Sequence, residues 1–241
     1  MAGNIYLVSY ADHKMTIAQK KLEASFLGVP HRAGLTRWTM GFNEPDLDEP
    51  FKSKNAAALG QDRGAGYWLW KPYVISVALS RVDEGDYIFY SDAGIEIVED
   101  ISCLIELGKD IIVFSNEWSH VDFCKMDVLN AMLPGWTDSM YKQTQATVVV
   151  FRKTPETVAF VKSWLDWAQL PGFIDDSPSV LPNVATFVDH RHDQAILTNL
   201  CIQHNIARHW WPAIYNEGHR ALYGDPWPCL FSHHRKRNFE W

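Results

Sequence analysis

The chain has 241 residues, 47% of them apolar and 21% charged, the proportions of a globular domain with one substantial core. Twenty-two Lys and Arg against 29 Asp and Glu leave a formal charge of −7, which weighs against broad nucleic-acid binding, where clustered cations supply the affinity. No apolar run approaches the roughly 18 residues of a membrane span, and the opening MAGNIYLVSYADHK lacks the basic and apolar segments of a signal peptide.

Four cysteines, Cys103, Cys124, Cys201 and Cys229, are widely spaced and form no CxxC pair. Free thiols and a cytoplasmic location are therefore expected. Eleven tryptophans and a crowding of seven of the ten histidines between His190 and His234 stand out.

In chain order, the run at 4–9 (NIYLVS) predicts a short buried strand. Thr16 opens a helix to about residue 27, with Gln19 placed for a capping box and Gly28 as the stop. Residues 29–66 are punctuated by Pro and Gly and read as irregular, with helix only over 51–59. Pro72 suits the first position of a helix running to about residue 82. Residues 87–90 (YIFY) predict a strand, 101–107 a short helix, 111–114 a strand and 125–133 a helix. ATVVVFR at 146–152 is a strong strand signal, and Pro155 opens a helix to about residue 168. After a second Pro/Gly-rich loop, Asp193 is placed to cap a helix through residue 204.

Strands alternating with helices imply an α/β fold with a mainly parallel central sheet flanked by helices, in a single domain spanning 1–241. Loops at about 41–66 and 169–191 are expected to be mobile, and 232–241 forms a basic tail. In such sheets ligands sit at the carboxyl ends of the strands. That rule points at 10–12, 92–94 and 115–117.

Four constellations could carry chemistry. In DYIFYSDAG (86–94), an apolar strand delivers Asp92 to the sheet edge, where a carboxylate can hold a divalent cation against a diphosphate. In RGAGYWLWKP (63–72), Arg63 and Lys71 could bind phosphate oxygens, while Trp68 and Trp70 could stack on a ligand or simply pack at a helix entrance. In HRHDQ (190–194), Asp193 and Gln194 could position an acceptor hydroxyl or a reacting anomeric carbon. In SHHRKR (232–237), a neutral histidine could complete a metal site and Arg or Lys could offset a leaving diphosphate; solvated charge is the plainer reading. GxSxG, HExxH and GxGxxG are absent.

Taken in order, RGAGYWLWKPY, GDYIFYSDAG, HDQAIL and HHRKRN resemble GT-A-fold glycosyltransferases, in particular small capsule- and glycan-building transferases of bacteria and large viruses. The resemblance spans nearly the whole chain and implies a GT-A-like domain. It implies transfer of a sugar from a nucleotide-diphosphate sugar, a UDP-sugar in the first instance, to a glycan hydroxyl in polysaccharide or surface-glycan synthesis. It places Ser9, Tyr10, Asp12, Arg63, Lys71, Ser91, Asp92, Arg235 and Lys236 at the nucleotide. It places Asp193 and Gln194 at the reacting centre, with retention favoured through Gln194 and inversion open through Asp193 as base. The family's Asp-x-Asp motif binds Mn²⁺ or Mg²⁺. Here Asp92 matches the first Asp and Gly94 stands in place of the second, so His233 or His234 would have to complete a metal site with Asp92. The alternative is neutralisation by Arg63, Lys71 and the tail without metal. A glycoside hydrolase using Asp92 and Asp193, and a non-catalytic carbohydrate-binding protein, are the rival readings. No nucleic-acid partner or transmembrane segment is expected, and oligomeric state is open.

Overall fold

The computed structural model describes residues 3–30, 35–136, 138–215, 219–220 and 229–241. Among the described residues ten strands are present in chain order: β1 (Asn4–Tyr10), β2 (Thr36–Phe42), β3 (Tyr87–Ser91), β4 (Ile95–Ile97), β5 (Ile111–Ser119), β6 (Lys142–Arg152), β7 (Arg208–Trp210), β8 (Ala213–Tyr215), β9 (His219–Arg220) and β10 (Phe231–His233). The helices are α1 (Thr16–Gly28), α2 (Glu49–Lys54), α3 (Ala56–Leu59), the single turn α4 (Gly64–Tyr67), α5 (Trp70–Arg81), α6 (Ser102–Ile105), α7 (Met126–Met132), α8 (Pro155–Ala168) and α9 (His192–Gln203).

The central sheet has the order β2-β1-β3-β6-β5-β7. All neighbours pair in parallel except at β6, which runs antiparallel between β3 and β5. That reversal brings the start of β6 to the edge where β1, β3 and β5 end. Side-chain alternation then builds two cores. Val8, Tyr10, Ile88, Tyr90, Val113, Val149 and Phe151 join the face packed by α5, α7, α8 and α9. Ile5, Leu7, Tyr87, Phe89, Ile112, Phe114, Val148 and Val150 face the other way, against Leu22 and Phe26 of α1 and the strands β4 and β10. Helices therefore cover one face. The helices α1 and α6 and a four-stranded sheet of order β4-β10-β8-β9 cover the other.

Several expectations need correction. The stretch 29–66 contains a strand, β2, paired in parallel along all of β1. It lies at the sheet edge and is mostly exposed or half-buried, so it lacks the apolar run that marks β1 and β3. Gln19 does not close a capping box on α1; its amide donates to Ser9 Oγ and the Phe42 carbonyl, tying α1 to β1 and β2. The cap comes from the far end of the chain. Asn238 Oδ1 accepts from the Ile17 N–H at 2.8 Å, and its Nδ2 donates to the His13 carbonyl and Thr16 Oγ1. The basic tail is thus part of the fold: its first residues form β10, and Asn238 locks its end onto α1. Helix α5 starts at Trp70, two residues before Pro72. Helix α9 starts at His192, so Asp193 lies inside its first turn and is not its cap.

Candidate active site

A cavity of about 420 Å³ opens where β1, β3 and β5 end and β6 begins. Tyr10 ends β1 and Asp12 follows it, Asp92 to Gly94 follow β3, Trp118 is the penultimate residue of β5, and Gln145 to Thr147 lie in the first half of β6. The left-handed turn at α4, the start of α5, the start of α9 and the tail complete the wall. Five successive residues, Gly64, Ala65, Gly66, Tyr67 and Trp68, have positive φ values of 60°, 49°, 100°, 54° and 58°. Such a turn costs roughly 1–2 kcal/mol at each non-glycine position. It holds because Trp70 Nε1 donates to the Gly64 carbonyl and because the space beside Gly64 and Gly66 is filled by the Trp68 ring and Leu59. The turn launches α5 so that Lys71 points inward under the cavity.

Lys71 is the electrostatic centre. Its side chain is 2% exposed, with Nζ at 2.7 Å from Asp193 Oδ2 and 3.2 Å from Asp92 Oδ1, and it donates to the Ala146 carbonyl at 3.1 Å. Burial alone would lower the Lys71 ammonium, yet Asp193 and Asp92 hold it above its ordinary value. Burial pushes the Asp193 carboxyl up to about 6; Lys71 draws it back and Asp92 adds to the rise. Asp193 is therefore an ionised carboxylate at neutral pH, with the affinity for a proton that suits a general base. Asp92 is gripped on the same oxygen by the Tyr90 hydroxyl at 2.6 Å. Burial and the neighbouring Asp92 raise the Tyr90 phenol well above its usual range, so it stays a donor.

Among the sequence-predicted residues, Tyr10, Asp12, Arg63, Lys71, Asp92, Asp193, Gln194, His233 and Arg235 all line the cavity. Ser9, Ser91, His234 and Lys236 are not among its lining. Ser9 and Ser91 are buried beneath it, the first accepting from Gln19 and the second donating to the Asp92 carbonyl. The His234 ring packs edge-on against Trp241, and the Lys236 ammonium lies over the same indole. Of the lining residues, Tyr10 is already stacked on Trp70, with centroids 4.0 Å apart. Arg63 is committed to Asp176 at 3.0 Å and Asp189 at 2.6 Å, which braces the turn against the 169–191 loop. His192 stacks on Tyr67 and meets the Ile174 carbonyl, adding a second brace. The Gln194 amide donates to Gln143 Oε1, and its oxygen meets the Ala146 N–H. Trp70, Trp164 and Trp211 are buried in the cores.

Sequence reasoning missed Arg191, which follows the loop and precedes α9. Its guanidinium lies over Trp118 at 4.6 Å and Phe123 at 5.1 Å and faces the cavity. Lys14 was also missed, whereas Arg237, part of the SHHRKR run, does line the cavity. The signal for Arg191 was its place inside HRHDQ; its aromatic platform comes from residues about 70 positions earlier and has no local mark. Among the described residues, six cations, Lys14, Arg63, Lys71, Arg191, Arg235 and Arg237, and four carboxylates, Asp12, Asp62, Asp92 and Asp193, line the cavity. Burial lowers His192 and takes His233 down to about 3, so both are neutral; with Arg63 held by Asp176 and Asp189 and Lys71 by Asp92 and Asp193, the positive charge offered to a ligand is that of Arg191, Arg235 and Arg237. That balance suits an anionic ligand.

The donor set does not fit the metal site of the Asp-x-Asp pattern. Asp92 Oδ1 is shared by Lys71 and Tyr90. A Cβ on Gly94 would lie 3.1 Å from Arg235 Cα, so the tail backbone covers the position of the second carboxylate. His233 Nε2 accepts from Arg235 Nε at 3.0 Å. Among the described residues, no three His, Cys, Asp or Glu side chains converge as a metal-binding group. Asp92 and Asp193, which a hydrolase would need on opposite sides of a bond, share one ammonium.

The architecture is GT-A-like: an α/β sandwich on a mainly parallel six-stranded sheet. It is similar to that of WbbM, a bifunctional glycosyltransferase, with a TM-score of 0.56 and 12% identity over 99% of this chain and 47% of that one. The chain thus spans about half the length of WbbM. Mouse xyloside xylosyltransferase 1 matches with a TM-score of 0.53 and 10% identity over 96% of this chain and 98% of that one. At these identities the likeness is one of fold. No family model and no curated protein matches the sequence. No helix among the described residues is long and apolar enough to cross a membrane.

Proposed function

We propose that this protein is a glycosyltransferase that moves a sugar from a nucleotide-diphosphate sugar to a glycan hydroxyl. The observation that carries the reading is the buried Asp193 carboxylate, raised towards neutrality, beside a cavity rich in guanidinium groups at the carboxyl ends of β1 and β3. The fold shared with two glycosyltransferases supports it. In this reading Asp193 takes the proton of the acceptor hydroxyl as its oxygen bonds to the anomeric carbon. The bond from that carbon to the diphosphate breaks, and its electron pair leaves on the diphosphate, where Arg191, Arg235 and Arg237 stabilise it. The commitment of Gln194 to Gln143 and Ala146 favours inversion through Asp193 over retention through Gln194. A uridine donor, synthesis of a surface polysaccharide and a reducing compartment complete the proposal. The last is supported by the free thiols of Cys103, Cys124 and Cys201.

A thermal-denaturation panel of UDP-, GDP- and CDP-sugars tests the donor. A ligand at 100-fold over its dissociation constant adds about 2.7 kcal/mol, which at this chain length is a rise in Tm of roughly 5–10 °C. One base should give that shift. Flat melting with every nucleotide sugar, alongside a shift with free glycans, would replace the transferase reading with a carbohydrate-binding one.

A further inference from the structure

We propose that Lys71 and the arginines of the cavity take the place of a divalent cation, so that this protein binds and uses its donor without metal. The inference rests on the glycosyltransferase reading and concerns the same site.

Three independent features point the same way. The first is occupancy. The Lys71 ammonium already sits where the Asp92 and Asp193 carboxylates converge, with the Ala146 carbonyl as its third oxygen neighbour. A divalent ion bound to both carboxylates would have to displace a buried cation or sit against it, and like charges in a low-dielectric site repel strongly. The second is the missing ligand. Gly94 is the small residue that lets the tail cross: both the His234 and Arg235 N–H groups lie 3.1 Å from its carbonyl as donors, and a side chain there would meet Arg235. The segment that excludes a second carboxylate therefore delivers a guanidinium to the cavity instead. The third is the imidazole. His233 receives the Arg235 Nε–H on Nε2, so the ring serves to aim Arg235.

The positive charge is also held by built structure. Asn238 fastens the tail to α1 just beyond Arg235 and Arg237, and Arg191 rests on Trp118 and Phe123. A fixed guanidinium binds phosphate oxygens through paired N–H donors and needs no proton bookkeeping near neutral pH. Lys71 touches no cavity oxygen beyond its two carboxylates and one carbonyl, and so acts as a positioning residue. It draws the raised Asp193 carboxyl back down and occupies the place between Asp92 and Asp193 that a metal would need.

Titration calorimetry of the full chain with UDP and with GDP, each in EDTA and in Mn²⁺, tests this. We expect one diphosphate to bind in both buffers with affinities equal within about two-fold. Arg235→Ala should weaken binding by about ten-fold or more in both, the scale of one charge-assisted hydrogen bond. Binding in Mn²⁺ but not in EDTA would overturn the metal-free proposal and leave the transferase reading intact. No binding in either buffer would overturn both. An Arg235→Ala protein with unchanged affinity would remove the arginines from the diphosphate and refute the substitution of charge. A second variant probes the centre directly. In Lys71→Ala the two carboxylates face each other without their cation, and Mn²⁺ should bind, read as loss of the free-ion signal by electron paramagnetic resonance. Mn²⁺ uptake by the unaltered protein would count against the proposal.

Discussion

Replacing Lys71 by Met removes the one cation between Asp92 and Asp193 while keeping an unbranched side chain of similar length. Two costs follow, and they separate by pH. The Ala146 carbonyl loses its donor, which is worth about 1–3 kcal/mol for a buried group at any pH. Asp193 loses the partner that draws its pKa down, so it rises above its present value of about 6. A carboxyl raised in the folded state contributes stability below its unfolded pKa and loses that contribution as pH rises through the folded pKa. In the native protein that loss ends near pH 6, because Asp193 is then ionised in both states. In Lys71→Met it continues, because the folded protein holds a proton that the unfolded chain releases. The deficit should therefore grow by about 1.4 kcal/mol per pH unit above pH 6, reaching the 3–5 kcal/mol typical of a broken buried pair near pH 8. Urea unfolding of both proteins at pH 5.5, 7 and 8 measures it. A deficit that stays flat across that range would refute the view that Lys71 is what keeps Asp193 ionised.

Four further outcomes follow from the same geometry. Asn238→Ala should cost about 1 kcal/mol, the value of a helix cap, and lower Tm by roughly 2–4 °C; an unchanged Tm would mean that the tail does not support α1. His120 and His190, buried and hydrogen-bonded, are pushed down to about 4 and 3. Their contribution is complete above pH 6.5 and is lost as pH falls towards those values, outweighing the opposite change at Asp193. Stability should thus fall between pH 6.5 and 4.5, and a constant urea midpoint would contradict their neutral burial. Gly64→Ala places a methyl 2.4 Å from the Trp68 ring at a φ of +60°, and should cost about 1–3 kcal/mol. Gly28→Ala, with nothing within 4 Å of the added carbon, should be neutral or slightly stabilising in the same melting experiment.

The strands that carry the site were legible because their burial leaves an unbroken apolar signature. YIFY and ATVVVF are buried from both faces, and their ends place Asp92 and the start of β6 at one edge. β2 was not legible, because an exposed edge strand holding Gly41 has no such signature. The residues of HRHDQ stood out, but their geometry did not. The positive φ of His192 starts α9 one residue before Asp193, and a tertiary contact with Tyr67 sustains it. Lys71, Asp92 and Asp193 were each visible as separate candidates, whereas their meeting depends on β6 reversing the sheet and on the left-handed turn before α5. The tail was legible as a candidate ligand-binding or solvated segment but not as part of the fold, because its partners on α1 lie more than 200 positions away and local patterning carries no trace of them.

The most direct test of the central claim is turnover. Nucleoside diphosphate released from a panel of nucleotide sugars, with and without a mixture of glycan acceptors, should rise with one donor in the unaltered protein. In Asp193→Asn it should fall by about 100-fold or more, the scale of a lost general base, while that donor still binds. Release from no nucleotide sugar, or equal release by Asp193→Asn, would contradict a glycosyltransferase that works through Asp193.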